Sequence, residues 1–311
     1  MAAVPQPGRL HLLEPRTRTV IRSRIAGRRG FLDSLLFIVG HPLAHTLSPA
    51  MHNGVISRLG LPLRYVGVEL PPGCLRDFFR VVRAGNFLGG NVTIPYKEAA
   101  AALADERSEA VEACGAANVM IARQGRLVAD NTDGSGFLDA LQSAGWGRRF
   151  RRVVILGAGG SARGIAYELC RNGAREVSIL NRNPVRAREI AKVLSPRFPA
   201  SSIAAGKLET VDMMREFVGA DLIVQCTSLG LAEEWKYFPI SSVEKTSFFA
   251  DIVYRQGGTS LVRRLKKRGI PAIDGLGMLA HQAARSFFLW TGKKVPGGEF
   301  LSIARKTIAN G

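Results

Sequence analysis

Cysteines and long apolar runs are both scarce in this sequence, and each shortage excludes a class of protein. The 311 residues include four cysteines, which lie far apart and form no C-x-x-C pair: Cys74, Cys114, Cys170 and Cys226. This pattern is typical of neither a disulfide framework nor a zinc site, and it favours a reducing compartment. No apolar run approaches the roughly 18–20 residues that a membrane-spanning helix needs. We therefore expect a cytoplasmic protein with no metal ion and no membrane partner.

Acidic residues are scarce relative to basic ones. The sequence has 25 Asp and Glu against 43 Lys and Arg, which gives a formal net charge of +18 at pH 7. A charge of this size points to an anionic partner, such as nucleic acid, a membrane surface or an acidic small molecule. Because the basic residues are scattered among apolar ones, we interpret most of them as a solvated surface and expect no specific nucleic-acid partner.

The first thirty residues have a composition of their own. They contain seven arginines and one acid, Glu14, and they lack the continuous apolar core of a signal peptide. Transit peptides are also rich in arginine and poor in acids, but serine is scarce in this segment. We expect residues 1–30 to be a disordered basic leader, or to reflect a start codon placed too early, and we exclude them from the fold prediction.

From Leu35 onward, short apolar segments typical of strands alternate with amphipathic segments typical of helices. The chain is long enough for two domains, and the alternation predicts an α/β fold with a parallel sheet in the second half. Ser48-Pro49 predicts the start of a helix with Ser48 as its N-cap. Asp133-Gly-Ser-Gly predicts a break in the chain before a helix at 137–144.

A glycine-rich segment, Gly157-Ala-Gly159-Gly160-Ser161, follows an apolar strand and opens a helix. Its glycines permit a tight turn and let the backbone approach a pyrophosphate at the helix N-terminus. The next strand ends at Asn181-Arg182, where an NAD enzyme usually has an acid, and Arg186 follows closely. Guanidinium groups bind a 2′-phosphate that an acid would repel, so the sequence favours NADP over NAD. The alternative interpretation is a basic surface turn.

Polar residues are concentrated in five places outside that segment: 46–49, 91–97, Asn118, 131–134 and Gln282. Lys97 and Asp133 have the chemistry of an acid–base pair, because a lysine ammonium can protonate a carbonyl oxygen and a carboxylate keeps it charged and oriented. Hydroxyl and amide groups for a polyhydroxylated ligand come from Thr46, Ser48, Thr93, Asn118 and Gln282. Taken singly, each residue could be structural, with Asp133 as a turn residue before glycine.

From about Leu35 to the end, the sequence resembles the shikimate dehydrogenase family. The motifs that carry the resemblance stand in the family's order: HPLAHTLSPAMHN (41–53), GGNVTIPYK (89–97), GAAN (115–118), NTDGSG (131–136), GAGGSARG (157–164), NRNPVRA (181–187), TSLG (227–230), DIVY (251–254) and DGLGMLAHQA (274–283). The resemblance implies an N-terminal α/β substrate domain of residues 31–134, completed by residues 275–311. It also implies a Rossmann-type NADP-binding domain of residues 135–274, with the substrate in the cleft between the two.

Carried over by motif position, the resemblance implies a catalytic pair, Lys97 and Asp133. The implied substrate-binding residues are Thr46, Ser48, Thr93, Asn118, Tyr254 and Gln282. The implied cofactor-binding residues are Gly157, Gly159, Gly160, Ser161, Asn181, Arg182, Arg186, Thr227, Ile252, Gly275 and Met278. The implied reaction is the reversible NADPH-dependent reduction of 3-dehydroshikimate to shikimate, a step of chorismate and aromatic amino-acid synthesis. The implied partner is a small-molecule substrate, and we expect a monomer or a homodimer.

Several positions depart from the family's pattern and keep alternatives open. Thr46 stands where serine is usual, and Gln225-Cys226 replaces the usual Asn-Ala. A quinate or aminoshikimate dehydrogenase-like paralogue that uses NAD or NADP is therefore an alternative. A second alternative is binding of nucleic acid or an anionic membrane through the leader and the basic segment 263–268. A third, a non-catalytic paralogue, is disfavoured because Lys97 and Asp133 are retained.

Overall fold

The protein has the expected α/β fold, with two six-stranded sheets. The computed structural model describes residues 34–44, 46–146, 150–229, 235 and 237–310. The expected basic leader at residues 1–30 lies outside the described residues. Among the described helices, none is both long enough and apolar enough to cross a bilayer.

The first sheet has the strand order β2-β1-β3-β5-β6-β4. Its strands are β1 (Ser34–Gly40), β2 (Leu63–Glu69), β3 (Phe87–Val92), β4 (Glu106–Arg107), β5 (Val119–Arg123) and β6 (Arg126–Asp130). Strands β1, β2 and β3 are parallel, whereas β5 runs antiparallel to both β3 and β6. The helices in this part of the chain are α1 (Ser48–Arg58), α2 (Leu75–Ala84), α3 (Lys97–Leu103) and α4 (Glu109–Cys114).

The second sheet is parallel throughout, as the alternation of strands and helices predicts, and has the order β12-β11-β10-β7-β8-β9. Its strands are β7 (Arg152–Leu156), β8 (Glu176–Asn181), β9 (Ser202–Lys207), β10 (Leu222–Gln225), β11 (Phe248–Asp251) and β12 (Ala272–Ile273). Its helices are α6 (Gly160–Arg171), α7 (Pro184–Leu194), α8 (Thr210–Phe217) and α9 (Ser260–Lys267), with a short 3₁₀ turn at Ile240–Ser242. The strand order reverses between β7 and β10, which is where open α/β sheets bind ligands.

Three further described helices are α5 (Asp133–Ser143), α10 (Leu276–Thr291) and α11 (Gly297–Asn310); α10 packs on both sheets, whereas α11 packs against α10 and α1. Helix α10 contributes Met278 to the apolar core of the second sheet and Phe287 and Trp290 to that of the first. The indole of Trp290 donates a hydrogen bond of 3.0 Å to the Met120 carbonyl, which anchors α10 on β5. Arg285 of α10 forms two hydrogen bonds with Asp139 of α5, at 2.6 and 2.8 Å.

Two local predictions are wrong. Helix α5 begins at Asp133, so the Asp-Gly-Ser-Gly segment does not break the chain. Its glycines serve helix packing, because a Cβ at Gly134 would lie 2.3 Å from the Gly164 carbonyl oxygen and one at Gly136 would lie 2.5 Å from the Gln282 nitrogen. Ser48 is not the N-cap of α1, because Leu47 occupies that position and Ser48 is the first residue of the helix. The Ser48 side chain is buried, and the N-cap forms no side-chain hydrogen bond.

Candidate active site

Lys97 and Asp133, predicted as an acid–base pair, form an ion pair at the junction of the two sheets. The Lys97 Nζ atom lies 2.5 Å from Asp133 Oδ2, and the two side chains are 12% and 5% exposed. Nζ also donates a hydrogen bond of 2.9 Å to the Ser161 hydroxyl in the glycine-rich segment of the second sheet. A Cβ on Gly160 would lie 2.8 Å from that of Lys97, so only glycine allows this approach. The arrangement holds a shielded ammonium beside the turn that would carry a pyrophosphate.

The carboxylate of Asp133 is held from its other side by Asn118. The Asn118 amide nitrogen donates to Asp133 Oδ1 at 2.9 Å, and its carbonyl oxygen accepts a hydrogen bond of 2.7 Å from the Thr132 backbone. The same amide nitrogen lies 3.2 Å from Gln282 Oε1, so a residue of α10 joins the cluster. Four predicted site residues from different elements therefore meet at one place.

Asn91, at the end of β3, belongs to this cluster although we predicted no separate role for it. Its side-chain amide nitrogen donates to the backbone carbonyl of Asn118 and to the Ser286 hydroxyl, both at 3.1 Å. Its carbonyl oxygen accepts a hydrogen bond of 2.7 Å from the Tyr65 hydroxyl. An asparagine in an otherwise apolar strand was the available signal, because a buried amide needs hydrogen-bond partners.

The remaining predicted substrate residues line the loops that follow β1, β3 and β11. The Thr46 hydroxyl accepts a hydrogen bond of 3.3 Å from the Ser48 backbone, and the Ser48 hydroxyl is hydrogen-bonded to Tyr65. Tyr254 interacts with the Leu47 backbone across the junction, and burial raises the pKa of its phenol. Thr93 packs over the end of β1. The structure thus brings a tyrosine of the second sheet against the Thr46–Ser48 loop.

The glycine-rich segment fits a dinucleotide. Gly157 has a left-handed φ of 110°, and a Cβ there would lie 2.9 Å from the Cys226 backbone. A Cβ on Gly159 would meet no atom within 4 Å, so the turn leaves open space on its outer side. Gly159 occupies the N-cap position of α6 and has no side chain that could cap the first backbone N–H groups of the helix. Uncapped N–H groups at a helix N-terminus are suited to bind a phosphate.

The basic residues predicted to bind the 2′-phosphate lie at the end of β8 and the start of α7. Asn181 donates a hydrogen bond of 2.8 Å to the Asn183 carbonyl, and Asn183 caps α7 by accepting from Val185. Arg182 and Arg186 are exposed, and Arg186 forms an ion pair with Glu98 of α3. Two exposed guanidinium groups close together in sequence are suited to bind a phosphate, although Glu98 already contacts that of Arg186.

The other predicted cofactor residues lie beyond β10 and β11 and at the start of α10. Gly275 packs directly on the Ile252 carbonyl oxygen, which a Cβ would approach to 2.0 Å. Met278 is buried one helical turn later. The Thr227 backbone donates a hydrogen bond of 2.6 Å to Gln225 Oε1, so the family departure at position 225 shapes this loop. Thr227, Ile252 and Gly275 thus follow the carboxyl ends of β10, β11 and β12, and Met278 lies in the first turn of α10.

Two buried groups near the site have shifted pKa values. Burial raises the pKa of Asp251 to about 6, although Val253 and Thr259 each donate a hydrogen bond of 2.9 Å to its carboxylate. Burial raises the pKa of the Cys226 thiol far above its usual range, so Cys226 stays protonated and is a poor nucleophile.

Family models match three segments of the chain. A model described as the shikimate dehydrogenase substrate binding domain matches residues 38–120, and one described as shikimate / quinate 5-dehydrogenase matches residues 142–231. A third, the shikimate 5′-dehydrogenase C-terminal domain, matches residues 275–297.

Individual relatives cover nearly all of the chain beyond the leader. An NADP(+)-dependent shikimate dehydrogenase from Methanopyrus kandleri is 37% identical over 263 residues, which are 83% of this chain and 90% of that protein. The shikimate 5-dehydrogenase of Thermus thermophilus, solved with NADP(H) and shikimate, has a TM-score of 0.76 and 33% identity, and the match covers 88% of this chain and 99% of that one. A quinate dehydrogenase from Corynebacterium glutamicum, solved with NAD, has a TM-score of 0.80 and 26% identity over the same shares.

Proposed function

This chain belongs to the shikimate dehydrogenase family, and on that premise we propose that it is an NADP-dependent shikimate dehydrogenase. The reaction is the reversible reduction of 3-dehydroshikimate to shikimate, the step that the resemblance assigns to chorismate and aromatic amino-acid synthesis. The observation that carries the proposal is the shielded contact of Lys97 with both Asp133 and Ser161. It holds a proton donor next to the turn that fits the cofactor.

Lys97 acts as the general acid of the reduction. Its ammonium donates a proton to the carbonyl oxygen of the substrate, and the oxygen becomes the hydroxyl of the product. In the reverse direction the Lys97 amine accepts that proton. Asp133 keeps the amine oriented, and Asn118 holds the carboxylate by a hydrogen bond of 2.9 Å. NADPH, when bound, supplies the hydride that reaches the carbonyl carbon.

Hydroxyl and amide groups of the cluster bind the rest of the substrate. Thr46 and Ser48 hold the substrate carboxylate, and Tyr254, which interacts with the backbone of the intervening Leu47, binds the substrate nearby. The ring hydroxyls are bound by Thr93, Asn118 and Gln282, and Asn91 positions Asn118 through its hydrogen bond to the Asn118 backbone. Hydroxyl and amide groups both donate and accept hydrogen bonds, as a polyhydroxylated ring requires.

The residues that would hold the cofactor follow the strands of the second sheet. Gly157, Gly159, Gly160 and Ser161 would bind the pyrophosphate, and Asn181, Arg182 and Arg186 would bind the 2′-phosphate. Thr227, Ile252, Gly275 and Met278 would lie beside the nicotinamide. The corresponding domains are residues 31–134 with 275–311 for the substrate and residues 135–274 for NADP. We further propose a cytoplasmic monomer or homodimer, and light scattering of the purified protein tests its assembly state.

A comparison of initial rates tests the proposed function. The rate of NADP+ reduction is measured with shikimate and with quinate, and both are repeated with NAD+. We expect shikimate with NADP+ to give the highest kcat/KM. Thr46 supports one second candidate, a quinate dehydrogenase, because quinate carries an extra hydroxyl beside the carboxylate that this residue would bind. A higher kcat/KM with quinate would select that candidate, and no reaction with either acid would reject the substrate site.

A further inference from the structure

Glu98 joins the helix of the catalytic lysine to the arginines of the cofactor site. It follows Lys97 at the start of α3, and its carboxylate contacts arginines of two helices of the second sheet. Oε1 forms an ion pair with Nη2 of Arg186 on α7, and Oε2 lies 3.7 Å from Nη2 of Arg163 on α6. Two consecutive residues of one helix therefore contact the carboxylate of Asp133 and the guanidinium proposed to bind the 2′-phosphate.

The two arginines differ in how much freedom they have. The Arg163 side chain is 9% exposed and has a second partner, Glu189, at 3.1 Å, so it is fixed within the protein. The Arg186 side chain is 44% exposed, and Glu98 is 43% exposed. Arg186 is thus accessible to a ligand from solvent, and Glu98 already occupies one of its amino groups.

We propose that Glu98 determines cofactor specificity by competing with the 2′-phosphate of NADP for Arg186, an inference that rests on the proposed NADP site. A phosphate that binds Arg186 must either displace the carboxylate or share the guanidinium with it. Sharing brings two anions close together, and like charges repel. NAD has a hydroxyl in place of the 2′-phosphate and does not meet this competition. Glu98 therefore lowers the affinity for NADP without lowering that for NAD.

A binding measurement that does not require catalysis tests the inference. Calorimetry gives the Kd of NADP+, NAD+, adenosine 2′,5′-bisphosphate and adenosine 5′-phosphate for the wild type and for Glu98→Gln, which removes the charge and keeps the shape. We expect Glu98→Gln to tighten NADP+ and the bisphosphate by about two- to fivefold, the range typical of an exposed ion pair. The Kd of NAD+ and of adenosine 5′-phosphate stays the same, and added salt reduces the gain.

Further variants make the test specific. Glu189→Gln removes the same charge from the neighbourhood of Arg163 and is expected to leave the ratio of the NADP+ and NAD+ affinities unchanged. In an Arg186→Gln background, Glu98→Gln is expected to bring no further gain, because the contested guanidinium is gone. Glu98→Ala serves as a second charge-removing variant if Glu98→Gln folds poorly.

The outcomes separate this inference from the proposed function. Unchanged or weaker NADP+ binding in Glu98→Gln overturns the inference, as does an equal gain in the Arg186→Gln background. It is also overturned if Glu98→Gln binds the bisphosphate no more tightly than adenosine 5′-phosphate. If the wild type binds NADP+ tightly but does not oxidise shikimate, the proposed function fails. The binding data alone then decide whether Glu98 competes with the 2′-phosphate.

Discussion

Asn118 fixes the free side of the Asp133 carboxylate with a hydrogen bond of 2.9 Å to Oδ1. Lys97 binds the opposite oxygen, Oδ2, at 2.5 Å. The side-chain amide of Asn118 itself accepts a hydrogen bond from the Thr132 backbone, so a backbone group fixes the side chain that orients the carboxylate. This relationship makes Asn118 a positioning residue for the acid–base pair as well as a proposed substrate ligand.

Asn118→Ala should slow the reaction because Asp133 loses a donor to its buried charge. A hydrogen bond to a charged group is worth about 1.5–3 kcal/mol, which corresponds to a fall in kcat/KM of roughly 10- to 100-fold. Steady-state kinetics across pH check this, and a changed pH profile separates mispositioning of the pair from lost substrate contact. Asn172→Ala, an exposed change at the end of α6, is the control. A kcat/KM within twofold of the wild type would contradict the assigned role.

Gln225→Leu should disturb the loop that follows β10. The Gln225 side chain is buried, accepts a hydrogen bond from the Thr227 backbone at 2.6 Å and donates one to the Leu229 carbonyl at 2.7 Å. Leucine removes both hydrogen bonds from these partly buried backbone groups, each worth about 0.5–1.5 kcal/mol of stability. We expect a higher KM for NADP+, a smaller change in the KM for shikimate, and a lower free energy of unfolding.

Gln142→Leu, a change at an exposed residue, is the matched control for this prediction. It should leave both KM values and the free energy of unfolding close to those of the wild type. Equal increases in both KM values would show that Gln225 acts on the whole site rather than on the cofactor loop.

His52 should make the protein less stable in mild acid. It is fully buried and stacked on Tyr65 with ring centroids 4.2 Å apart, and burial lowers its pKa from 6.5 to about 3. The unfolded chain therefore binds a proton that the folded protein does not, and the stability that is complete above pH 6.5 is lost as the pH falls towards 3. The slope contributed by one group approaches about 1.4 kcal/mol per pH unit.

Denaturant unfolding between pH 7 and 4.5 measures this slope. His52→Phe keeps the aromatic stacking and should flatten the dependence by about one proton, whereas the exposed His41→Gln should leave most of it. An unchanged slope in His52→Phe would show that the imidazole is protonated in the folded protein.

The ion pair between Arg285 and Asp139 should couple α5 to α10. Both side chains are about one-third exposed, so we expect a modest coupling of about 0.5–1 kcal/mol, reduced by salt. A double-mutant cycle of Asp139→Asn and Arg285→Gln, measured by denaturant unfolding, gives this value. Strict additivity of the two changes would mean that the contact contributes nothing to stability.

Local patterns in the sequence are sufficient to predict the strand, glycine turn and helix that surround Gly157. An apolar run predicts the strand, and the adjacent glycine cluster predicts the turn, without information from distant residues. Helix α7 carries an equally local signal, an N-cap at Asn183 followed by Pro184. Strand β9 gave little signal, since it lies at the edge of its sheet and alternates between partly buried and exposed residues.

Contacts between distant segments account for what sequence patterns missed. Gly134 and Gly136 look like helix breakers, but they permit close packing against Gly164 and Gln282. Asn91 gains its role from Ser286, which is 195 residues away. The pairing of Glu98 with Arg186 joins helices of different sheets, and no local pattern reports it.

Replacement of Lys97 by alanine tests the central claim most directly. We measure kcat for NADP+-dependent oxidation of shikimate in the wild type and in Lys97→Ala, and we confirm by NADP+ binding that the variant is folded. A general acid–base residue contributes about 10²–10⁴-fold, so we predict a fall in kcat of that size with NADP+ affinity retained. A variant that binds NADP+ and keeps kcat within a few-fold of the wild type would contradict the assignment of Lys97 as the proton donor.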